Sequence, residues 1–401
     1  MTPLSPVNKV AFLGDYPPRQ CGIATFTRDL RDAVVAANPG WNCPVIAVSD
    51  HPGNYTYPPE VRFEIPQPDV ASYVRAANFL NLAHMDVLCL QHEFGIFGGS
   101  AGSHILALLR RVRMPVITTL HTVLENPDSN QRRVFHELVD LSSRLVVMAE
   151  RARGMLTSLY GVADSKIAVV PHGIPDTGFT DPSFYKDQFE VTGRPVMLTF
   201  GLLSPNKGIE YVIRALPDIV RDHPRLVYIV LGATHPNLVR EEGEGYRLQL
   251  ERMARSIGVE DSIRFVNRYV SNEELREYIG AADIYITPYL NEAQITSGTL
   301  SYCFGAGKAV VSTPYWHAAE LLAKGAGVLV PFRDATAVAR EVGALLSDET
   351  RLNAMRKQSY LAGRHMIWPQ VAASYTHLFA TAGDHNEVHG HHKPRPAAPF
   401  G

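Results

Sequence analysis

The feature that most restricts the fold of this chain is a rhythm. Short apolar, β-branched runs alternate with segments of helical period, and the alternation pauses once and then begins again. The first series of runs is Val10–Gly14, Pro44–Val48, Asp86–Gln91, Pro115–Leu120, Leu145–Met148 and Ala168–Pro171, with helical segments such as Ala24–Ala36 and Gln131–Leu141 between them. Several runs are apolar throughout, which suits parallel strands buried on both faces. Strands joined through helices build a doubly wound parallel sheet.

From Gly173 to Arg194 the periodicity lapses into proline, glycine, aspartate and threonine, the composition of a connector. The second series follows: Val196–Phe200, Leu226–Leu231, Ile263–Val266, Ile284–Thr287, Ala309–Ser312 and Gly327–Val330. The expected fold class is α/β, with two Rossmann-type doubly wound domains facing across a cleft. The expected boundaries are 1–175 for the first domain, 176–192 for the linker and 193–364 for the second domain. A helix within 365–382 rejoins the first domain, since Trp368 to Phe379 keeps Val371, Tyr375 and Phe379 at helical spacing. Residues 383–401 form a tail rich in histidine and proline; His385, His389, His391 and His392 there collect metal only incidentally.

The 401 residues leave room for two cores. A formal net charge of -2 gives no basic field for nucleic acid. The four cysteines, Cys21, Cys43, Cys89 and Cys303, are scattered without a C-x-x-C pair and are expected as reduced thiols, with no metal site. Met1–Val7 lacks the basic-then-apolar order of a leader, and no apolar stretch reaches the roughly 18 residues of a membrane helix, so a cytoplasmic protein is expected. His104–Arg113 sets Leu106, Leu108 and Leu109 beside Arg110, Arg111 and Arg113. Such a segment can rest peripherally on anionic lipid, but a core-facing helix with a solvated charged end is the expected role.

Ligands of doubly wound sheets sit beyond the carboxyl ends of the strands, so the loops there carry the chemistry. After the first strand comes Gly14-Asp15-Tyr16-Pro17-Pro18-Arg19-Gln20-Cys21-Gly22. Gly22 at a helix start lets a phosphate approach backbone N–H groups, although the G-x-G-x-x-G spacing of dinucleotide sites is missing. Gln91-His92-Glu93 and Leu120-His121-Thr122 put two histidines and a glutamate at strand ends, a polar constellation rather than isolated structural histidines. In the second half, Ser204-Pro205-Asn206-Lys207-Gly208 sets a lysine at a helix start, where it neutralises phosphate. The run Gln294-Ile295-Thr296-Ser297-Gly298-Thr299 opens another helix with more hydroxyls than one cap requires.

Taken in order, Cys21-Gly22-Ile23-Ala24, Pro171-His172-Gly173-Ile174, Ser204-Pro205-Asn206-Lys207-Gly208 and Gly305-Ala306-Gly307-Lys308-Ala309-Val310-Val311 resemble family 4 of the retaining glycosyltransferases over nearly the whole chain. The resemblance implies a GT-B fold, a sugar donor on the second domain and a carbohydrate or other hydroxyl acceptor on the first. It implies no cofactor or catalytic metal. By resemblance His121, Lys207 and Gln294 are catalytic; Gly22, Asn206, Lys207, Arg268, Thr296, Ser297, Gly298 and Thr299 hold the donor; Arg19, His92 and Glu93 face the acceptor.

Three positions depart from the family. It usually has an arginine five residues before the lysine, where this chain has Leu202, and two glutamates eight apart, where this chain has Gln294 and Tyr302. Losing the arginine removes a bidentate phosphate partner, and losing the second glutamate removes the acceptor for two ribose hydroxyls. Each buried hydrogen bond to a charged group is worth on the order of 1.5–3 kcal/mol, so a standard nucleotide sugar is expected to bind less well. The expected activity is retaining sugar transfer from a phosphate-linked donor, with a nucleotide sugar as the expected form of it. The alternatives are a phosphorylase using orthophosphate or a sugar phosphate, for which Ser297-Gly298-Thr299 resembles a segment of the glycogen phosphorylases, and a catalytically silent carbohydrate-binding protein.

Overall fold

The structure is a computed structural model that describes residues 7–382; the tail histidines lie outside the described residues. The chain divides into two compact units. Among the described residues, one comprises those up to Met148, Ala152–Val170 and Val371–Ala382; the other comprises Ala149–Arg151 and Pro171–Gln370.

The first unit is built on seven strands: β1 (Val10–Gly14), β2 (Val45–Ser49), β3 (Val61–Pro66), β4 (Val87–His92), β5 (Val116–Leu120), β6 (Arg144–Val147) and β7 (Ile167–Val169). They lie in the order β3-β2-β1-β4-β5-β6-β7, every pair parallel. Every residue of β1, β2, β4 and β5 is buried, which is why those runs carry so few charges. β3 is not among the expected strands. As an edge strand it alternates Val61, Phe63 and Ile65 with Arg62 and Glu64 and is only partly covered. The helices are α1 (Gly22–Ala37), α2 (Val70–Leu82), α3 (Ile105–Leu109), α4 (Ser129–Leu141) and α5 (Glu150–Tyr160). α4 starts on a reciprocal capping box between Asp128 and Gln131. In α3, Ile105, Leu106, Leu108 and Leu109 are all buried, so the apolar side of the 104–113 segment is already used in the core. Arg110 is taken up by Glu137 at 2.7 Å.

The second unit has six strands, β8 (Val196–Phe200), β9 (Val227–Leu231), β10 (Ile263–Val266), β11 (Ile284–Thr287), β12 (Ala309–Ser312) and β13 (Val328–Leu329). Their order is β10-β9-β8-β11-β12-β13, again all parallel. The helices are α6 (Ser183–Lys186), α7 (Ile209–Asp222), α8 (Pro236–Glu242), α9 (Gly245–Ser256), α10 (Asn272–Ala281), α11 (Gly298–Gly305), α12 (Trp316–Leu321), α13 (Ala335–Ser347) and α14 (Glu349–Ala362), and only the first turn of α15 (Trp368–Thr381) belongs here. Two apolar layers sandwich the sheet. Ile209, Val212 and Leu216 of α7 join Leu250 of α9 and Val338 and Val342 of α13 in one layer. Tyr278 and Ile279 of α10 join Leu300, Cys303 and Phe304 of α11 in the other. Of the stretch 176–192, Val191 is fully buried in this second layer with Phe189 against it and Lys186 is only 7% exposed, while Phe179 and Phe184 are exposed.

α15 links the units in sequence. Its start belongs to the second, where Trp368 lies so close to Gly173 that a Cβ there would sit 2.2 Å from the indole. From Val371 it belongs to the first. There the Tyr375 hydroxyl is 2.8 Å from Thr119 Oγ1, and Phe379 meets Phe12 edge to face at 6.2 Å.

Both sheets reverse their strand order once, between β1 and β4 and between β8 and β11. A parallel sheet opens a crevice at the carboxyl ends where its order reverses. The loops after β1, β4, β8 and β11 hold most of the expected site residues.

Candidate functional site

In the second unit the site is built around the loops after β8 and β11. Gly201 leaves β8 with φ +118°, and the chain reaches Lys207 through a single turn of helix before Gly208, at φ +63°, starts α7. A Cβ on Gly208 would lie 2.1 Å from the Pro288 carbonyl oxygen, so a glycine is required for the two loops to meet. Lys207 Nζ donates to the Tyr289 hydroxyl at 2.7 Å and lies 3.9 Å from the centre of that ring. The same hydroxyl is 2.8 Å from Thr299 Oγ1, which is 3.2 Å from Ser297 Oγ. Lys207, Thr299 and Ser297 are thus one hydrogen-bonded cluster, joined by a tyrosine that the sequence pattern did not single out. Burial raises the Tyr289 phenol, but the Lys207 charge and the bonds from Lys207 and Thr299 outweigh it and bring it below its usual value. Among the described residues Lys207 forms no ion pair. A half-buried ammonium without a carboxylate is suited to receive an anion.

Ser297 caps α11 by accepting from the Leu300 amide. Beneath it lie two histidines. His317 Nδ1 accepts from the Ser297 amide at 2.9 Å, and His172 Nδ1 donates to the Gly173 carbonyl at 2.8 Å. Burial lowers His317 to about 3, with His172 adding to the effect, and lowers His172 to about 4, so both are neutral at pH 7. Gly298 allows the close approach, since a Cβ there would lie 2.8 Å from His172 Nε2. Gln294 donates its amide to the Thr296 carbonyl at 3.1 Å. Asn206 is exposed, and its carbonyl accepts from Leu290 N at 2.9 Å. Arg268, just past β10, is exposed and already paired with Glu274. Tyr302 packs edge-on against His172 with centroids 6.0 Å apart.

In the first unit the loop after β1 turns on Asp15, a residue that sequence reasoning passed over. Its side chain is fully buried and accepts from Arg19 Nη1 at 2.8 Å and from Cys21 Sγ at 3.2 Å. Burial raises its carboxyl to about 7 even though Arg19 and Cys21 pull the other way. Cys21 then caps α1, accepting from the Ala24 amide at 3.3 Å, and burial pushes its thiol to about 12. A Cβ on Gly22 would meet nothing within 4 Å, so open space lies beside this helix start.

His121 Nε2 lies 3.0 Å from Gln91 Oε1, an acceptor, which assigns the proton to Nε2. Phe26 meets the ring edge to face at 4.9 Å. Glu93 accepts from Thr122 and from the Phe94 amide, and burial holds its carboxyl above the usual range. His92 is placed differently from an acceptor contact. It is 0% exposed, packed against Phe94 and Phe97, and neither ring nitrogen has a hydrogen-bond partner among the described residues. Burial lowers it to about 3. Among the described residues no group of three or more His, Cys, Asp or Glu could hold a metal ion, and no helix is long and apolar enough to cross a membrane.

Two family descriptions match in tandem: Glycosyltransferase Family 4 over residues 22–177 and Glycosyl transferases group 1 over residues 182–362. The chain is 26% identical over 291 residues to the D-inositol 3-phosphate glycosyltransferase of Xylanimonas cellulosilytica, covering 67% of each chain. It is 28% identical over 223 residues to the GDP-mannose-dependent alpha-(1-6)-phosphatidylinositol monomannoside mannosyltransferase of Mycolicibacterium smegmatis, covering 53% of this chain and 54% of that one. The matched stretches therefore span about two thirds and about half of those relatives. Anabaena HepE in complex with UDP superposes with a TM-score of 0.73 at 16% identity, over 93% of this chain and all of HepE. With two parallel-sheet units folded in this way and both family descriptions matched in succession, the chain belongs to the family 4 glycosyltransferases of GT-B fold.

Proposed function

We propose that the protein transfers a sugar, with retention of anomeric configuration, from a nucleotide-sugar donor to a hydroxyl of a carbohydrate or inositol-type acceptor. The observation that carries the proposal is the Lys207–Tyr289–Thr299–Ser297 cluster: an ammonium without a counter-ion among the described residues, beside hydroxyls, at the start of α11. A diphosphate leaving group supplies the missing negative charge, and charge that develops on it in the transition state is stabilised most where the donor is already oriented. The second unit is assigned the donor and the first the acceptor, with His121 and the Gly22 loop as the first unit's contributions. Arg19 and Glu93 remain the acceptor-side groups, and His92 supports them from within the core. The leaving phosphate helps take the acceptor proton, so no protein nucleophile is needed.

Nucleotide rather than orthophosphate is favoured by the relatives, one of which is named for GDP-mannose, and by the UDP complex of HepE. With Tyr302 at the position of the ribose-binding glutamate, the backbone around Asn267, Arg268 and Tyr269 takes over the nucleoside, the Arg268 side chain joining it only by leaving Glu274.

Ligand-induced stabilisation by UDP, GDP and orthophosphate tests donor class, because binding to the folded state raises the melting temperature. Stabilisation by a nucleoside diphosphate, lost in Lys207→Ala, is expected. Response to orthophosphate alone points instead to a phosphorylase. Nuclear magnetic resonance of the first-formed glycoside reads the anomeric configuration, and inversion of configuration overturns the mechanism.

A further inference from the structure

Away from the Lys207 cluster, the second unit contains a cavity of about 290 Å³ between α10, α11 and the stretch that follows Ile174. At its base is Lys308, which is only 2% exposed. The residue stands immediately before β12, as Asp283 stands before β11, so this region lies at the amino ends of the strands. The Lys207 and Thr299 loops leave the opposite, carboxyl ends. Strands of four residues at roughly 3.3 Å each put Lys308 more than about 10 Å from the Lys207 and Thr299 loops, and Tyr302, one turn beyond Thr299 on α11, is the wall that lies between.

The charges around Lys308 do not balance. Lys186, Lys308 and Arg356 are 7%, 2% and 6% exposed. Among the described residues the one carboxylate ion-paired with any of them is Asp283, and its Oδ2 is bound by Lys186 at 2.8 Å and by the Val196 amide at 2.7 Å. Asp181 acts on Lys186 and Arg356 only from beyond contact. Lys308 donates one hydrogen bond, to the Gly280 carbonyl at the end of α10. As a cap on that helix the lysine uses one of its three donors. Arg356 Nε has no partner among the described residues. Burial, with Arg356 and Lys186 reinforcing it against Asp283 and Cys303, lowers Lys308 to about 7.

The walls are suited to a small polar molecule. Glu273, Arg276 and Glu277 stand on one face of α10 at the mouth, and none of the three side chains has a hydrogen-bond partner among the described residues. Tyr185 rests directly on Gly280, where a Cβ would sit 2.4 Å from its ring, and Tyr302 closes the α11 side. The volume is near the lower end of the range of about 300–1,000 Å³ for metabolite pockets.

We propose that this cavity is a second binding site, for a small hydroxylated phosphate monoester of the sugar-phosphate class, separate from the Lys207 cluster. The phosphate meets Lys308 and Arg276, and the sugar hydroxyls donate to Glu273 and Glu277. An anion beside Lys308 favours its charged form, so binding near pH 7.5 takes up a proton.

Calorimetric titration of the whole protein with glucose 6-phosphate, in the presence of saturating UDP, tests the site. One equivalent is expected to bind, with proton uptake read from the dependence of the heat on the buffer's ionisation enthalpy. Arg276→Gln, an exposed change that leaves the fold alone, should weaken binding about tenfold, and Lys308→Met should weaken it further. Absence of binding at millimolar probe overturns the proposal. So do displacement by UDP, orthophosphate binding as tightly as the sugar phosphate, and wild-type affinity in both variants.

Discussion

Tyr289 joins Lys207 to Thr299 and Ser297, and a double-mutant cycle with Lys207 measures how much it contributes. Tyr289→Phe keeps the ring under the ammonium but deletes the hydroxyl that accepts from Lys207 at 2.7 Å and meets Thr299 at 2.8 Å. Lys207→Met removes the charge and keeps the length. A hydrogen bond to a charged group contributes about 1.5–3 kcal/mol when buried. Lys207 is half-buried and can turn partly to water, and Thr299 keeps Ser297 at 3.2 Å, so the lower part of that range applies. The expected coupling in unfolding free energy is therefore about 1.5–2 kcal/mol, read by urea denaturation of the four proteins. Titration with UDP gives the functional half. If the hydroxyl aims Lys207 at a diphosphate, Tyr289→Phe raises the dissociation constant about tenfold, equivalent to about 1.4 kcal/mol. In the Lys207→Met background the same change should have almost no effect on UDP. Sites that act independently add within about 0.3–0.5 kcal/mol. Coupling inside that window, with UDP affinity untouched by Tyr289→Phe, would falsify the assignment of Tyr289 as the group that orients the lysine.

The remaining expectations concern the buried polar groups and one glycine. Asp15 titrates near 7 when folded and near 4 when unfolded, so between those values the native state holds the extra proton and stability falls as pH rises. Asp15→Asn should therefore gain on the wild type by about 2.5 kcal/mol between pH 5 and pH 8 in urea unfolding, and a constant difference across that range refutes it. His92 has the opposite sign: its folded value near 3 makes the native state lose stability as pH falls from about 6.5 towards 3. His92→Leu should remove that acid limb and, by relieving unpaired ring nitrogens, raise stability at pH 7 by about 1 kcal/mol; a lower melting temperature at every pH contradicts this. Gly208→Ala brings a Cβ to 2.1 Å from the Pro288 carbonyl in a left-handed backbone, so it should cost about 2 kcal/mol or more and abolish UDP-induced stabilisation. Native melting and a native UDP response in the Gly208→Ala protein rule out the contact.

Strands that are buried on both faces were the legible part of this molecule. β1, β8, β11 and β12 fall on their expected residues because continuous apolar runs have no other comfortable place. β3 was not legible, because an edge strand with one wet face alternates Val61-Arg62-Phe63-Glu64 in too short a stretch to stand apart from a loop. At the candidate site, the glycines and Lys207 could be named because their backbone demands and charge are properties of single positions. Tyr289 and Asp15 could not. Each owes its importance to partners brought by folding: Lys207 and Thr299 for the tyrosine, full burial beside Arg19 for the aspartate. Arg268 illustrates the converse, since a free-standing arginine in the sequence is occupied by Glu274 six positions on. Periodicity cannot report which charge a neighbour has already claimed.

The passage of α15 from one unit to the other has a consequence for how the protein is made. The second unit is nearly one continuous stretch of chain, but the first is interrupted by it. During synthesis the strands carrying Phe12 and Thr119 emerge early, yet the Phe379 and Tyr375 that cover them are among the last described residues to leave the ribosome. At about 5–20 residues per second, the 256 positions between Thr119 and Tyr375 and the still longer interval between Phe12 and Phe379 keep that apolar surface uncovered for roughly 10–70 s. A nascent chain of this kind offers chaperones a long-lived binding face on its first unit, and the release of that face is timed by translation of the second.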